Sequence, residues 1–151
     1  MDTLSDVNQE IAGQGSLATS ESAKASAVRQ FWVQLSATRR GARLARLLAV
    51  EQLRSWGLPH EAVEQVVAEL ASNAASHGRV AGRDFRLVVR ANGRLVRVEV
   101  TDARGDRMPV PRAPGDGEAG RGLLLVGAFA ERWGTVWGPA PCKTVWAEMV
   151  C

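Results

Sequence analysis

The chain has 151 residues, enough for one domain with a single core. With 46% hydrophobic and 23% charged residues, and no apolar run near the roughly 18 residues of a membrane helix, it reads as a globular protein without a spanning segment. The net charge of +3 is uneven: Asp2, Asp6, Glu10 and Glu21 precede any Lys or Arg, so the remainder is basic and suits nucleic acid, an acidic protein or an anionic small ligand.

Residues 1–25 are polar, small and without period, which predicts a disordered tail before a domain at 26–151. Their opening has neither a basic start nor an apolar h-region, so it is no secretory signal. Cys142 and Cys151 are too few for a disulfide framework, which points to the cytoplasm, and Cys151, the last residue, is expected to fray. "FWVQL" (31–35) predicts a first strand. Thr38 then precedes "RRGARLARLLAVEQLRSW", in which Leu44, Ala45, Leu48, Ala49, Leu53 and Trp56 form an apolar side. Arg39, Arg43, Arg46 and Arg54 gather opposite, as a partner surface or, more ordinarily, a solvated face.

"GLP" (57–59) ends this helix at Gly57 and starts the next at Pro59. Val63, Val66, Val67, Leu70 and Ala74 recur at helical spacing to about His77, with Gly78 as a stop. "FRLVVRA" (85–91) and "RLVRVEVTD" (94–102) alternate around "NG" (92–93), which predicts a hairpin. Residues 103–120 are rich in Gly and Pro and form a long loop. "RGLLLVGAFAERW" (121–133) predicts a third helix, and "GTVWG" (134–138) and "KTVWAEMV" (143–150) two final strands. This order predicts an α+β fold, a two-layer sandwich of a mainly antiparallel sheet with helices on one face.

Glu69 and Asn73 lie one helical turn apart at the border of the second helix's apolar side. A carboxylate placed there needs a partner or a hydrated pocket, because burying it alone is costly. The Asn side-chain oxygen is a hard ligand suited to Mg²⁺, and a Glu one turn earlier can orient or deprotonate a hydroxyl. The ordinary alternative is a Glu–Asn hydrogen bond at a helix edge.

Three later features bear on that choice. Asp102 closes a strand just before the Gly-rich loop, where a carboxylate can accept a hydrogen bond from an exocyclic amine, or simply start a turn. Gly120-Arg121-Gly122 opens the third helix, where free amides and the dipole favour an anion, although Gly there can also serve as a cap. Thr144 lies in the last strand, where its hydroxyl could back up Asp102 or be an ordinary strand Thr.

In this order, "ELASNAASHG", "VEVTDARG", "GRGLLLV" and "KTVWAE" resemble the N box, the two glycine boxes and the terminal strand of the GHKL (Bergerat-fold) ATPases. The closer resemblance is to their small anti-sigma-factor serine/threonine kinase branch, the ATP-binding regulatory proteins of actinobacterial type, over about residues 30–150. The resemblance implies ATP and Mg²⁺ as cofactors, with Asn73 as the metal ligand and Glu69 as the catalytic base or its orienter. It implies Asp102 as the adenine contact, Gly105 on the adenine-side turn, and residues 106–119 as a lid. Gly120, Arg121, Gly122 and Leu123 would bind the triphosphate, with Thr144 behind Asp102. It further implies a sigma factor or an anti-sigma-factor antagonist protein as partner, and dimers. Neither nucleic acid nor a membrane is expected as a direct partner.

Two positions depart from the family pattern. Cys142 stands where glycine is expected before "KTVW", and "DARGD" is poorer in glycine than D-x-G-x-G. "GPAPCKT" (138–144) superficially matches a P-loop but is one residue short, has Cys for the second Gly and leads into a strand. His77, without a second ligand at metal spacing, reads as a helix-end histidine. The alternative functions are a nucleotide-responsive binding module with little kinase activity, a detached sensor-kinase catalytic domain and a DNA-binding protein. The last two lack, respectively, a dimerisation helix with a phosphoacceptor histidine and a helix-turn-helix.

Overall fold

A computed structural model describes residues 13–17, 28–76, 83–103 and 118–151. Its elements are β1 (Gly13–Leu17), β2 (Val28–Ser36), α1 (Arg39–Ser55), α2 (Glu61–Ser76), β3 (Asp84–Asn92), β4 (Leu95–Asp102), α3 (Glu118–Phe129), β5 (Arg132–Trp137) and β6 (Lys143–Val150). The strands form one antiparallel sheet in the order β1-β2-β3-β4-β6-β5. This is the α+β sandwich expected from the sequence, with the helices on one face of the sheet.

The core follows from strand alternation. Phe31, Val33 and Leu35 of β2 pair with Val89, Leu87 and Phe85 of β3. Val89 and Leu87 meet Val98 and Val100 of β4, which meet Ala147 and Val145 of β6. All are buried, and directly opposed residues share a face, so they make one apolar surface. Ala45, Ala49 and Leu53 of α1 and Val63, Val66, Val67, Leu70 and Ala74 of α2 are buried with them.

The helix ends behave as their residues dictate. Thr38 caps α1, its hydroxyl accepting the Gly41 amide at 3.0 Å. At the other end Gly57 adopts a φ of 72°, its amide reaching the Arg54 carbonyl while that of Leu58 reaches Leu53. That is a Schellman closure, which favours glycine at this position. Arg29 of β2 also donates to the Trp56 carbonyl at 2.8 Å. Helix α2 begins at Glu61, two residues after Pro59, with the His60 carbonyl accepting the Glu64 amide. Arg39, Arg43 and Arg54 are exposed, while half-buried Arg46 pairs with Glu64 of α2 at 2.9 Å.

Four local expectations differ from the structure. Residues 13–17, expected in a disordered tail, form β1 along the edge of β2. A backbone ladder on an open edge needs no apolar period, so the sequence carries little signal for it. The β3–β4 turn is Gly93–Arg94, because Asn92 pairs with Leu95 and Gly93 alone takes a positive φ, 60°. Helix α3 runs from 118 to 129, not 121 to 133: Arg132 and Trp133 join β5, drawn off by the ladder to β6. Cys151, expected to fray, is tied to the hairpin through its amide and the Arg94 carbonyl at 2.8 Å. His77, Gly78, Gly105 and residues 106–117 of the expected lid lie outside the described residues.

The sheet face away from the core carries a charge network. Arg90 and Arg97 both donate to Glu99 Oε2, at 3.0 and 2.7 Å. Arg97 also donates to Glu148 at 2.9 Å, and Arg132 of β5 pairs with the other Glu148 oxygen. The Arg132 and Arg97 guanidiniums hold the Glu148 carboxyl below the usual glutamate range. Arg86 stacks on Trp32 at 4.2 Å and Arg97 on Trp146 at 4.3 Å.

Candidate functional site

Glu69 and Asn73 lie half-buried on α2, among the buried Val66, Leu70 and Ala74. Helix α2 packs against α1 and α3 and crosses β4, the strand that ends at Asp102. The two polar residues thus project from the border of a packed helix, as their one-turn spacing requires.

Asp102 is the last residue of β4 and 6% exposed. It shares the core-facing parity of Val96, Val98 and Val100, so alternation alone turns its carboxylate inward. Directly across the ladder is Lys143, the first residue of β6 and 4% exposed. The Lys143 ammonium lies 3.7 Å from Asp102 Oδ2. A buried carboxylate needs such a counter-charge, and losing one partner of such a pair costs about 3–5 kcal/mol.

Lys143 carries no assigned role in the sequence reading, although a signal for it exists. It has the same strand parity as Val145, Ala147 and Met149, all buried, so its side chain must enter the core side and meet a carboxylate there. Thr144 falls on the other parity. Its hydroxyl lies 2.6 Å from that of Thr101, on the sheet face opposite Asp102. The expected support of Asp102 by Thr144 is therefore corrected: Lys143 flanks the carboxylate, and Thr144 pairs with the residue before it.

The start of α3 supplies backbone groups. Gly120 stands in its first turn, where amides have no partner within the helix, and Arg121, Gly122 and Leu123 follow. The helix dipole adds partial positive charge there. Segment 138–142 is a turn between β5 and β6, closed by the Gly138 amide on the Cys142 carbonyl at 2.9 Å, and leads into a strand, not a helix.

These donors fit a nucleotide with a hard cation. Asn73 and Glu69 offer oxygens, Asp102 an inward acceptor and α3 its first-turn amides. Among the described residues no three His, Cys, Asp or Glu form a metal cluster, so a cation here would draw on Asn73 with water and phosphate oxygens. Among the same residues no helix is long and apolar enough to cross a membrane.

The crystal structure of the RsbU and RsbW domains of Rv1364c from Mycobacterium tuberculosis matches with a TM-score of 0.61 at 21% identity. The match covers 80% of this chain and 32% of that one, and it shows the fold alone. No curated protein matches the chain. The family model of the histidine kinase-like ATPase domain matches residues 35–147, which takes in α1, α2, Asp102 and β6 as far as Ala147. The chain belongs to the histidine kinase-like ATPase domain family.

Proposed function

We propose that the chain is an ATP- and Mg²⁺-dependent serine/threonine protein kinase acting in the cytoplasm as an anti-sigma factor. The observation that carries this reading is the placement of Glu69 and Asn73, half-buried and one turn apart, on the helix packed across the strand that ends in Asp102. Bound Mg-ATP supplies the transferable phosphoryl group and the metal's charge. Asn73 presents its side-chain oxygen to the metal, and Asp102 accepts a hydrogen bond from the base's exocyclic amine. The first-turn amide of α3 at Gly120, with Arg121, Gly122 and Leu123 behind it, would face the phosphates. Glu69 receives the proton of the acceptor serine or threonine hydroxyl. Positioning and electrostatics dominate such transfers, so these placements are the catalytic contribution asked of the chain.

The partners of this reading are a sigma factor that the chain sequesters and an antagonist protein that it phosphorylates; what supports them is the resemblance of its motifs to the anti-sigma-factor kinase branch. Homodimerisation belongs to the same reading. The test is affinity purification from the native cell with and without ATP, followed by incubation of the co-purified proteins with γ-labelled ATP and Mg²⁺. Label on a serine or threonine of a co-purified protein supports the kinase. Nucleotide binding without transfer identifies a nucleotide-responsive binding module instead.

A further inference from the structure

The helices pack on one face of the sheet, and among the described residues no element covers the other. One row of residues crosses that open face from β2 to β6: Trp32, Val88, Glu99 and Trp146 stand directly opposite one another on successive strands. Arg86 stacks on Trp32 and Arg97 on Trp146. Tryptophan and arginine are the residue types that dominate binding hot spots. Glu99 and Glu148 are each shared by two arginines, whereas among the described residues no carboxylate pairs with the exposed Arg86. The face sets Arg86, Arg90, Arg97 and Arg132 against Asp84, Glu99 and Glu148, so it keeps an excess of positive charge.

We propose that residues 1–12 of this chain dock across the open face, Asp2, Asp6 and Glu10 meeting its guanidiniums, and so cover it in the free protein. Charge selects this occupant, because the segment carries those three carboxylates and neither Lys nor Arg. Its point of attachment agrees: β1 begins at Gly13, directly opposite Trp32, whose ring carries Arg86. Its length suffices, since a chain of residues 1–12 reaches up to about 40 Å, while the six strands at about 4.8 Å spacing span roughly 24 Å. Leu4, Val7 and Ile11 supply apolar atoms for the two tryptophans. Single exposed ion pairs are weak, but a segment of the same chain acts at an effective concentration on the order of millimolar. The face is then open only to a partner that displaces the segment. This inference is independent of the nucleotide site.

The test compares the full chain with its Asp2→Asn/Asp6→Asn/Glu10→Gln variant by nuclear magnetic resonance, reading the indole N–H signals. Neutralising the segment is expected to shift the signals of Trp32 and Trp146 and to leave those of Trp56 and Trp133, which pack against the core. Salt at about 0.5 M is expected to move the wild-type signals in the same direction, because exposed charges are then screened. In an Arg86→Gln background the same neutralisation is expected to shift Trp32 by about half as much or less. Unmoved Trp32 and Trp146 signals, or shifts confined to Trp56 and Trp133, overturn the proposal. Shifts that vanish on about tenfold dilution place the segment of a second copy on the face and overturn it as well.

Discussion

The hydroxyls of Thr101 and Thr144 meet at 2.6 Å across the β4–β6 ladder, one rung from the buried Asp102–Lys143 pair and on the opposite face of the sheet. The neighbouring rungs thus divide between the two faces. Thr144→Val keeps the shape of the side chain and removes the hydrogen bond, so stability is expected to fall by about 1 kcal/mol. ADP affinity is expected to stay at the wild-type value. Urea unfolding and calorimetry of the variant check both; a large loss of affinity would make Thr144 a direct nucleotide contact after all.

The two polar residues of α2 separate binding from transfer. Asn73→Ala is expected to abolish Mg-ATP binding, since the amide oxygen is the protein's ligand to the cation in the proposed site. Glu69→Ala is expected to retain Mg-ATP binding and lose phosphoryl transfer. Titrations with and without Mg²⁺ give the first comparison, and labelled-ATP transfer gives the second. Unchanged Mg-ATP affinity in Asn73→Ala would remove the metal site from α2.

Glu148 gives the fold an acid-sensitive element. Hydrogen bonds from Arg132 and Arg97 hold its carboxyl below the ordinary glutamate value, so the folded chain binds this proton less readily than the unfolded chain. Its stabilisation is complete above the unfolded value of about 4.3 and is lost as pH falls through the lower folded value. Thermal midpoints measured from pH 6 downward are expected to show wild type more stable than Glu148→Gln above about pH 5, with the gap narrowing below about pH 4. A gap that does not change with pH would show that the network stabilises through packing alone.

Gly41 is required where α1 meets β2. A Cβ at this position would come within 1.9 Å of the Ser36 carbonyl oxygen, a backbone atom that cannot swing away. Gly41→Ala, despite alanine's better helix propensity, is expected to lower the melting midpoint by roughly 10 °C. Scanning calorimetry decides this; a midpoint at or above that of wild type would mean that the α1 start relaxes freely.

The architecture was legible in the sequence because its periods are strong. The β3–β4 hairpin, the helix holding Glu69 and Asn73, and β6 all follow from apolar spacing that tertiary structure then reinforces. What was not legible depends on pairing. Gly13–Leu17 carries no pattern, yet adds to an open edge. Whether Arg132 ends a helix or begins a strand depends on β6, remote in sequence from the helical run that leads up to it. At the site, Asp102 announces itself by ending a strand, but its neighbour across the ladder is fixed only by register: motif order points to Thr144, whereas pairing and parity select Lys143.

Antiparallel pairing makes the two sides of this sheet answer to one another. A slip of one residue between β4 and β6 would carry Asp102 away from Lys143 and break the contacts of Arg97 with Glu148 and of Thr101 with Thr144 on the reverse. The reverse side therefore works as a latch for the obverse. Substitutions among its guanidiniums and carboxylates, remote from any ligand, have a mechanical route to the alignment of the residues that would hold a base.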